Sequence, residues 1–219
     1  MSADPKPPDM RMLVGLSGLT VATGLVDATS YLGLGHVFTA NMTGNVVFLG
    51  FALGGAPGFS IVASLLALGG FLLGALGAGR LVRTSTDHHK ALAAFGFEGI
   101  ALIAGTVIAG VVHAPGAGAP RWVLTCILGT AMGVQNATVR RLAVADMTTT
   151  VLTLTLTGIA SDSSLAGGSN PRLPRRATSV LLMLGGAIVG AALERRALWC
   201  PMALATLIVV GTTTTLASG

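Results

Sequence analysis

Gly24-Leu-Val-Asp-Ala-Thr29 and Asn41-Met-Thr-Gly-Asn-Val-Val47 decide the fold, because each has a second copy further along the chain. The first returns as Gly133-Val-Gln-Asn-Ala-Thr138 and the second as Asp146-Met-Thr-Thr-Thr-Val-Leu152. The offsets are 109 (136 − 27) and 105 (146 − 41), so two halves align with one small gap. Both polar elements recur in the same order, each inside an apolar stretch. Duplicated halves in a membrane protein commonly build a transport path, with the site at the seam between them.

Composition places the chain in the bilayer. Of 219 residues, 52% are hydrophobic and only 10% charged, against about a quarter charged in a soluble domain; mean hydropathy is +0.79. The 31 glycines suit helices that approach closely in lipid. Small residues four apart, Gly70 with Gly74 and Gly186 with Gly190, fit such packing. Residues 1–12 read as a polar, disordered cytoplasmic tail and 13–219 as one transmembrane domain, with repeats at about 13–112 and 121–217. No cleavable signal peptide is expected. The formal charge of +5 lies between the hydrophobic runs with no interleaved aromatics, which argues against a nucleic-acid partner. Cys126 and Cys200 have no metal-ligand spacing, so neither a disulfide nor a metal site is inferred, and no cofactor is expected.

Eight apolar segments follow: Leu13–Leu34, Phe38–Leu53, Phe59–Gly79, Ala91–Val112, Trp122–Leu142, Met147–Ala160, Ala177–Leu193 and Leu198–Leu216. The second and sixth are the shortest and most polar, and they correspond between halves. If all eight cross, with the N-terminus inside, six basic residues fall inside and seven outside. If the second and sixth enter and return, ten fall inside (Lys6, Arg11, Arg80, Arg83, Lys90, Arg140, Arg141, Arg172, Arg175, Arg176) and three outside (Arg121, Arg195, Arg196). Only the second arrangement obeys the positive-inside rule. It leaves three crossings per half, and an odd number makes the repeats inverted. The expected fold is therefore an all-α integral membrane protein, with six crossings plus two broken, re-entrant segments, built as two inverted repeats.

Irregular backbone at membrane depth survives only where protein or a water-filled cavity satisfies its amides. Phe38-Thr-Ala-Asn-Met-Thr-Gly-Asn45 suits this, since Asn, Thr and Gly favour turns. A half-helix is expected to start near Asn45. In the sixth segment Thr153, Thr155 and Thr157 alternate with Leu152, Leu154 and Leu156. That pattern reads either as an extended piece or as a helix whose threonines bond back to their own carbonyls.

The stretch Gly24 to Phe48, with Gly133 to Arg141 and Asp146 to Thr150, resembles the signature of the YoaK-like family, bacterial inner-membrane proteins carrying a domain of unknown function. The resemblance covers essentially the whole chain. It implies a multi-pass inner-membrane protein and carries over neither a substrate nor a catalytic residue.

Candidate residues follow from chemistry. Asp27 is ionisable inside the first span, where a charge costs about 2.5 kcal/mol or more at helix centre. It is either a proton or cation coupling site or a carboxylate tying down the neighbouring broken segment through amide hydrogen bonds; its repeat mate is the neutral Asn136. Asn41, Thr43 and Asn45 are substrate-contact candidates at a half-helix start, or else they satisfy their own turn. Asp146, Thr148 and Thr150 are the mirrored set, with Asp146 also fit to cap a helix, and Gln135 and Asn136 face the same seam. Glu98 is either a second coupling carboxylate or a group reaching the cytoplasmic surface and Lys90. His36, at the outer end of the first span, is read as an interfacial hydrogen-bonder. Arg140 and Arg141 are read as topology determinants, the alternative being an anionic ligand or lipid headgroup.

The function expected from these readings is secondary transport of a small polar or anionic solute across the bacterial inner membrane, both termini cytoplasmic. A non-transporting scaffold and a channel are the alternatives. With no HExxH, no GxSxG and histidines only at segment ends or in loops, an enzyme is disfavoured. The partners are the lipid bilayer, an unidentified small solute and, because six crossings enclose little on their own, a homodimer mate.

Overall fold

Six helices in the computed structural model are long and apolar enough to cross a membrane: α1 (Met10–Gly33), α3 (Ile61–Val82), α4 (His88–Val111), α5 (Ala119–Leu142), α7 (Leu173–Glu194) and α8 (Trp199–Ala217). The model describes residues 10–82, 88–112, 118–142 and 152–217, all helical or loop with no strand among them. Two shorter helices complete the set, α2 (Met42–Leu53) and α6 (Leu152–Ser161). With 12 and 10 residues they reach roughly 18 and 15 Å, each about half of a hydrocarbon core of about 30 Å. They are the second and sixth apolar segments.

The surface is inverted relative to a soluble protein. Leu72, Leu73, Ile100, Leu181 and Leu207 are each at least 65% exposed, while Thr20, Thr23, Ser30, Thr39, Asn45, Glu98, Gln135 and Ser179 are fully enclosed. Apolar side chains facing lipid cost nothing there. Polar ones at that depth need protein around them.

Glycines set the helix crossings. A β-carbon on Gly24 would strike the Met183 carbonyl and the Ala187 amide of α7, and one on Gly186 would strike the Val21 carbonyl of α1. In the other half, one on Gly133 would strike the Phe71 carbonyl and Ala75 amide of α3, and one on Gly74 the Thr130 carbonyl of α5. These contacts are equivalent residue by residue: Gly24 and Gly133 differ by 109 (133 − 24), and Gly74 and Gly186 by 112 (186 − 74). Exchanging α1 with α5, α2 with α6, α3 with α7 and α4 with α8 returns the same set of packed helix pairs among the described residues, the short turn at 164–166 aside.

Helix direction follows from the same contacts. Gly70 lies against Cys126 and Gly74 against Thr130, so α3 and α5 run parallel. Gly99 lies against Val210, Gly105 against Met202 and Gly110 against Trp199, so α4 and α8 run antiparallel. Strict alternation of eight crossings would make α4 and α8 parallel; alternation of six makes them antiparallel.

Several boundaries differ from the sequence reading: α1 already begins at Met10, inside the stretch read as a disordered tail. The first short helix starts at Met42, capped by Asn41, whose Oδ1 accepts from the Gly44 amide at 3.5 Å; the expected start near Asn45 is one turn late. α7 begins at Leu173 with Pro174 in its first turn, four residues before Ala177. Proline fits a first turn without losing a hydrogen bond, and the polar Arg175 and Arg176 hid that turn from a hydrophobicity reading. The threonine alternation resolves as helix: Thr157 Oγ1 donates to the Thr153 carbonyl at 2.8 Å.

Candidate functional site

Between α1 and α2 the chain leaves the helix; His36 and Asn41 are exposed there, whereas Val37, Thr39 and Ala40 are at most 4% exposed. Their amides need partners from the protein. Asp27 supplies one. Its Oδ1 accepts from the Thr39 amide at 3.1 Å and from the Ala40 amide at 2.9 Å. Asn45 reaches back onto Phe38: Oδ1 accepts from the Phe38 amide at 2.9 Å, and Nδ2 donates to the Phe38 carbonyl at 2.5 Å. The Phe38 ring stacks on Tyr31 and on Phe48 with centroids 5.0 and 5.6 Å apart, and Phe48 stacks on Phe59 at 5.2 Å. Helix, loop, short helix and following turn are thus stapled together. His36, with φ of 57°, sits at the outer edge of this cluster, its Nδ1 3.3 Å from the Gly58 carbonyl oxygen.

In the second half, residues 143–151, the counterpart of this loop, lie outside the described residues. Among its described residues, Arg176 of α7 donates from Nη1 to the Gly158 carbonyl at 2.6 Å and to Asp162 Oδ2 at 2.7 Å, tying the end of α6 to the start of α7. The hydrogen bond from Arg176 holds the Asp162 carboxyl below its ordinary range.

A cavity of about 540 Å³ opens between the N-terminal ends of the two short helices. Six of its twelve lining residues are repeat mates: Val47 with Leu152, Phe48 with Thr153, Phe71 with Met183. The first two pairs keep the offset of 105 (152 − 47) and the third that of 112 (183 − 71). Asn41, Thr43 and Gly44 at the start of α2, and Asn136 of α5, supply the polar part of the wall. The N-terminal ends of both α2 and α6 reach this space, so helix dipoles from the two halves add there.

The structure brings some sequence candidates together and not others. Asn41, Thr43 and Asn136 line the cavity. Asp27 and Asn45 stand behind the wall, their side chains turned onto loop backbone. Gln135 is buried and donates from Nε2 to Thr23 Oγ1 at 2.8 Å, away from the lining. Glu98 is fully enclosed on α4 and has no hydrogen-bond partner, so it reaches neither the surface nor Lys90. Arg140 and Arg141 are exposed at the end of α5. Asp146, Thr148 and Thr150 lie outside the described residues. Sequence reasoning missed Phe71 and Met183, apolar residues in apolar helices whose only distinguishing mark is their equivalence under the repeat. It also missed Arg176 as an anchor, although a basic residue soon after a short helix is a usable signal.

Comparisons with known proteins agree with this architecture. Residues 15–214 match the model of a family described as "Protein of unknown function (DUF1275)". The chain is 36% identical over 155 residues to the UPF0700 transmembrane protein YoaK of Bacillus subtilis (strain 168); the match spans 68% of this chain and 66% of that protein, just under two thirds of its length. No solved structure matches. With nine-tenths of its sequence under the family model and six helices able to span a bilayer, the chain is a multi-pass membrane protein of the DUF1275 family.

Proposed function

We propose that the chain is a secondary transporter of a small polar or anionic solute across the bacterial inner membrane, and that the solute binds in the cavity between α2 and α6. The observation that carries this reading is the cavity wall itself, half of it equivalent residues of the two repeats, flanked by two half-length helices. We infer that the halves are inverted repeats; the exchange of packed pairs and the antiparallel run of α4 on α8 support this. In that arrangement both termini are cytoplasmic, with ten of the 13 basic residues on the same side. Helix N-termini pointing into a midplane cavity favour the negative end of a solute, with Asn41, Thr43 and Asn136 as its side-chain contacts. Coupling falls to the buried carboxyl groups Asp27 and Glu98.

The test has two stages. A panel of small anions and zwitterions is screened by thermal shift on purified protein, since a ligand that binds only the folded form raises its stability. Hits are then followed as uptake into reconstituted vesicles. Asn136→Leu is expected to weaken binding at least tenfold while the apparent melting temperature stays within a few degrees. A ligand whose binding and uptake ignore Asn136→Leu, Asn41→Ala and Thr43→Val would place the site elsewhere.

A further inference from the structure

Away from that cavity, the core shared by α1, α4, α5 and α8 encloses four polar side chains at zero exposure: Thr20, Thr23, Glu98 and Gln135. Three of their oxygens lack a hydrogen-bond partner: both carboxyl oxygens of Glu98, and Oε1 of Gln135. The two orphans are complementary. Thr23 Oγ1 donates its single hydrogen to the Leu19 carbonyl at 2.8 Å. Towards Gln135 it can therefore only accept, which fixes Nε2 of Gln135 on Thr23 and leaves Oε1 as a buried acceptor in need of a donor. Helix register puts Glu98 at the same level. Ala94 and Val134 belong to one buried cluster, and Gly105 lies beside Leu128 and Ile127; between these points, antiparallel α4 and α5 bring Glu98 level with residues 130–135. Glu98 shares the inward face of α4 with Phe95 and Leu102, both core residues.

We propose that Glu98 is a proton-binding site, occupied at neutral pH, whose carboxylic O–H donates to Oε1 of Gln135. An ionised carboxylate enclosed without a donor is the most costly state available to this side chain. The neutral acid carries one O–H, and a single hydrogen bond serves both that hydroxyl and the Oε1 of Gln135. The result is a fixed chain from α4 through Gln135 and Thr23 to the backbone of α1. Charged and titratable groups on the surrounding helices do not offset this. Arg140 and Arg141 are exposed at one end of α5 and Arg121 lies at the other. On α8 only Cys200 titrates, at the end distant from Val210. Arg80 of α3 and Arg11 of α1 are exposed, as is His89 two turns back on α4 itself, with Lys90 beside it. Asp27 is engaged by the Thr39 and Ala40 amides. Losing the proton would cut the link between α4 of one half and α5 of the other, and through that link Glu98 couples protons to solute movement. That coupling role rests on the transport reading above; the protonated acid does not.

Infrared spectroscopy of the full-length protein in lipid nanodiscs at neutral pH tests the site directly. Wild type should show the carbonyl band of a protonated carboxylic acid. Glu98→Gln should remove it with the melting temperature held within a few degrees, because a neutral amide replaces a neutral acid. Gln135→Leu should keep the band and move it to higher frequency as the hydrogen bond is lost, and this second variant decides the matter should Glu98→Gln fail to fold. A wild-type spectrum without the band, or a band that neither substitution alters, overturns the proposal. If the band behaves as expected and vesicle uptake in Glu98→Gln still follows an imposed pH gradient, the proton site stands and the coupling role fails.

Discussion

The two short helices occupy equivalent places, and the anchoring contacts among the described residues differ between them. α2 is anchored from behind, by a carboxylate on two loop amides, an asparagine folded onto Phe38, and a stack of aromatic rings. α6 is anchored from its far end, by an arginine clamped on Gly158 and Asp162. Where the first half has Tyr31 and Phe48, the second has Arg140 and Thr153. What persists between halves is the backbone geometry: the glycine crossings and the paired residues of the cavity wall. Packing at a helix crossing leaves few solutions for a duplicated sequence, because only a missing side chain lets backbones touch.

The sharpest way to break this contrast is at Asp27. Asp27→Ala leaves two buried amides without acceptors and is expected to cost about 2–6 kcal/mol, whereas Asp27→Asn keeps a carbonyl oxygen and loses far less. Asn136→Ala, at the equivalent position, should lose less than Asp27→Ala. Thermal unfolding in detergent compares the three, and equal losses at Asp27 and Asn136 would remove the asymmetry. Asn45→Leu orphans both backbone groups of Phe38 and should lower stability by about 1–3 kcal/mol, with near-ultraviolet dichroism reporting the disturbed aromatic stack. On the other side, Arg176→Met should cost about 1.5 kcal/mol and leave that aromatic signal untouched. Asp162→Asn should be the mildest change. Because Arg176 lowers the Asp162 carboxyl from its ordinary value of 3.8, its contribution is present above that value and fades as pH falls through the lowered native one. The wild-type melting temperature should therefore drop more between pH 5 and pH 3 than that of Asp162→Asn.

Much of the architecture was legible because it is a matter of length and periodicity. Six long apolar runs and two short polar ones were visible in the sequence, and charge favoured an arrangement in which the short ones return. The anchoring of the loop by Asp27 was legible as one of two readings, since a carboxylate at that depth needs either an ion or donors, and backbone amides are donors that no sequence displays. The start of α2 was misplaced because Asn41 and Asn45 are chemically alike; only geometry shows that the first caps the helix and the second folds backwards. Glu98 was obscured by Lys90, eight residues away on the same helix, which offered an ion pair the fold does not make. Phe71 and Met183 carried no chemical signal at all and became visible only as repeat mates.

The central claim is that α2 and α6 enter the membrane from opposite faces and return without crossing. It is tested most directly by single cysteines at Pro57, after α2, and Ser164, after α6, both exposed positions, in a background without Cys126 and Cys200. Intact cells are treated with a membrane-impermeant thiol reagent. The account predicts labelling at Pro57→Cys and protection at Ser164→Cys until the cells are opened. Protection at both positions, as eight full crossings require, or labelling at Ser164→Cys from outside, would contradict it.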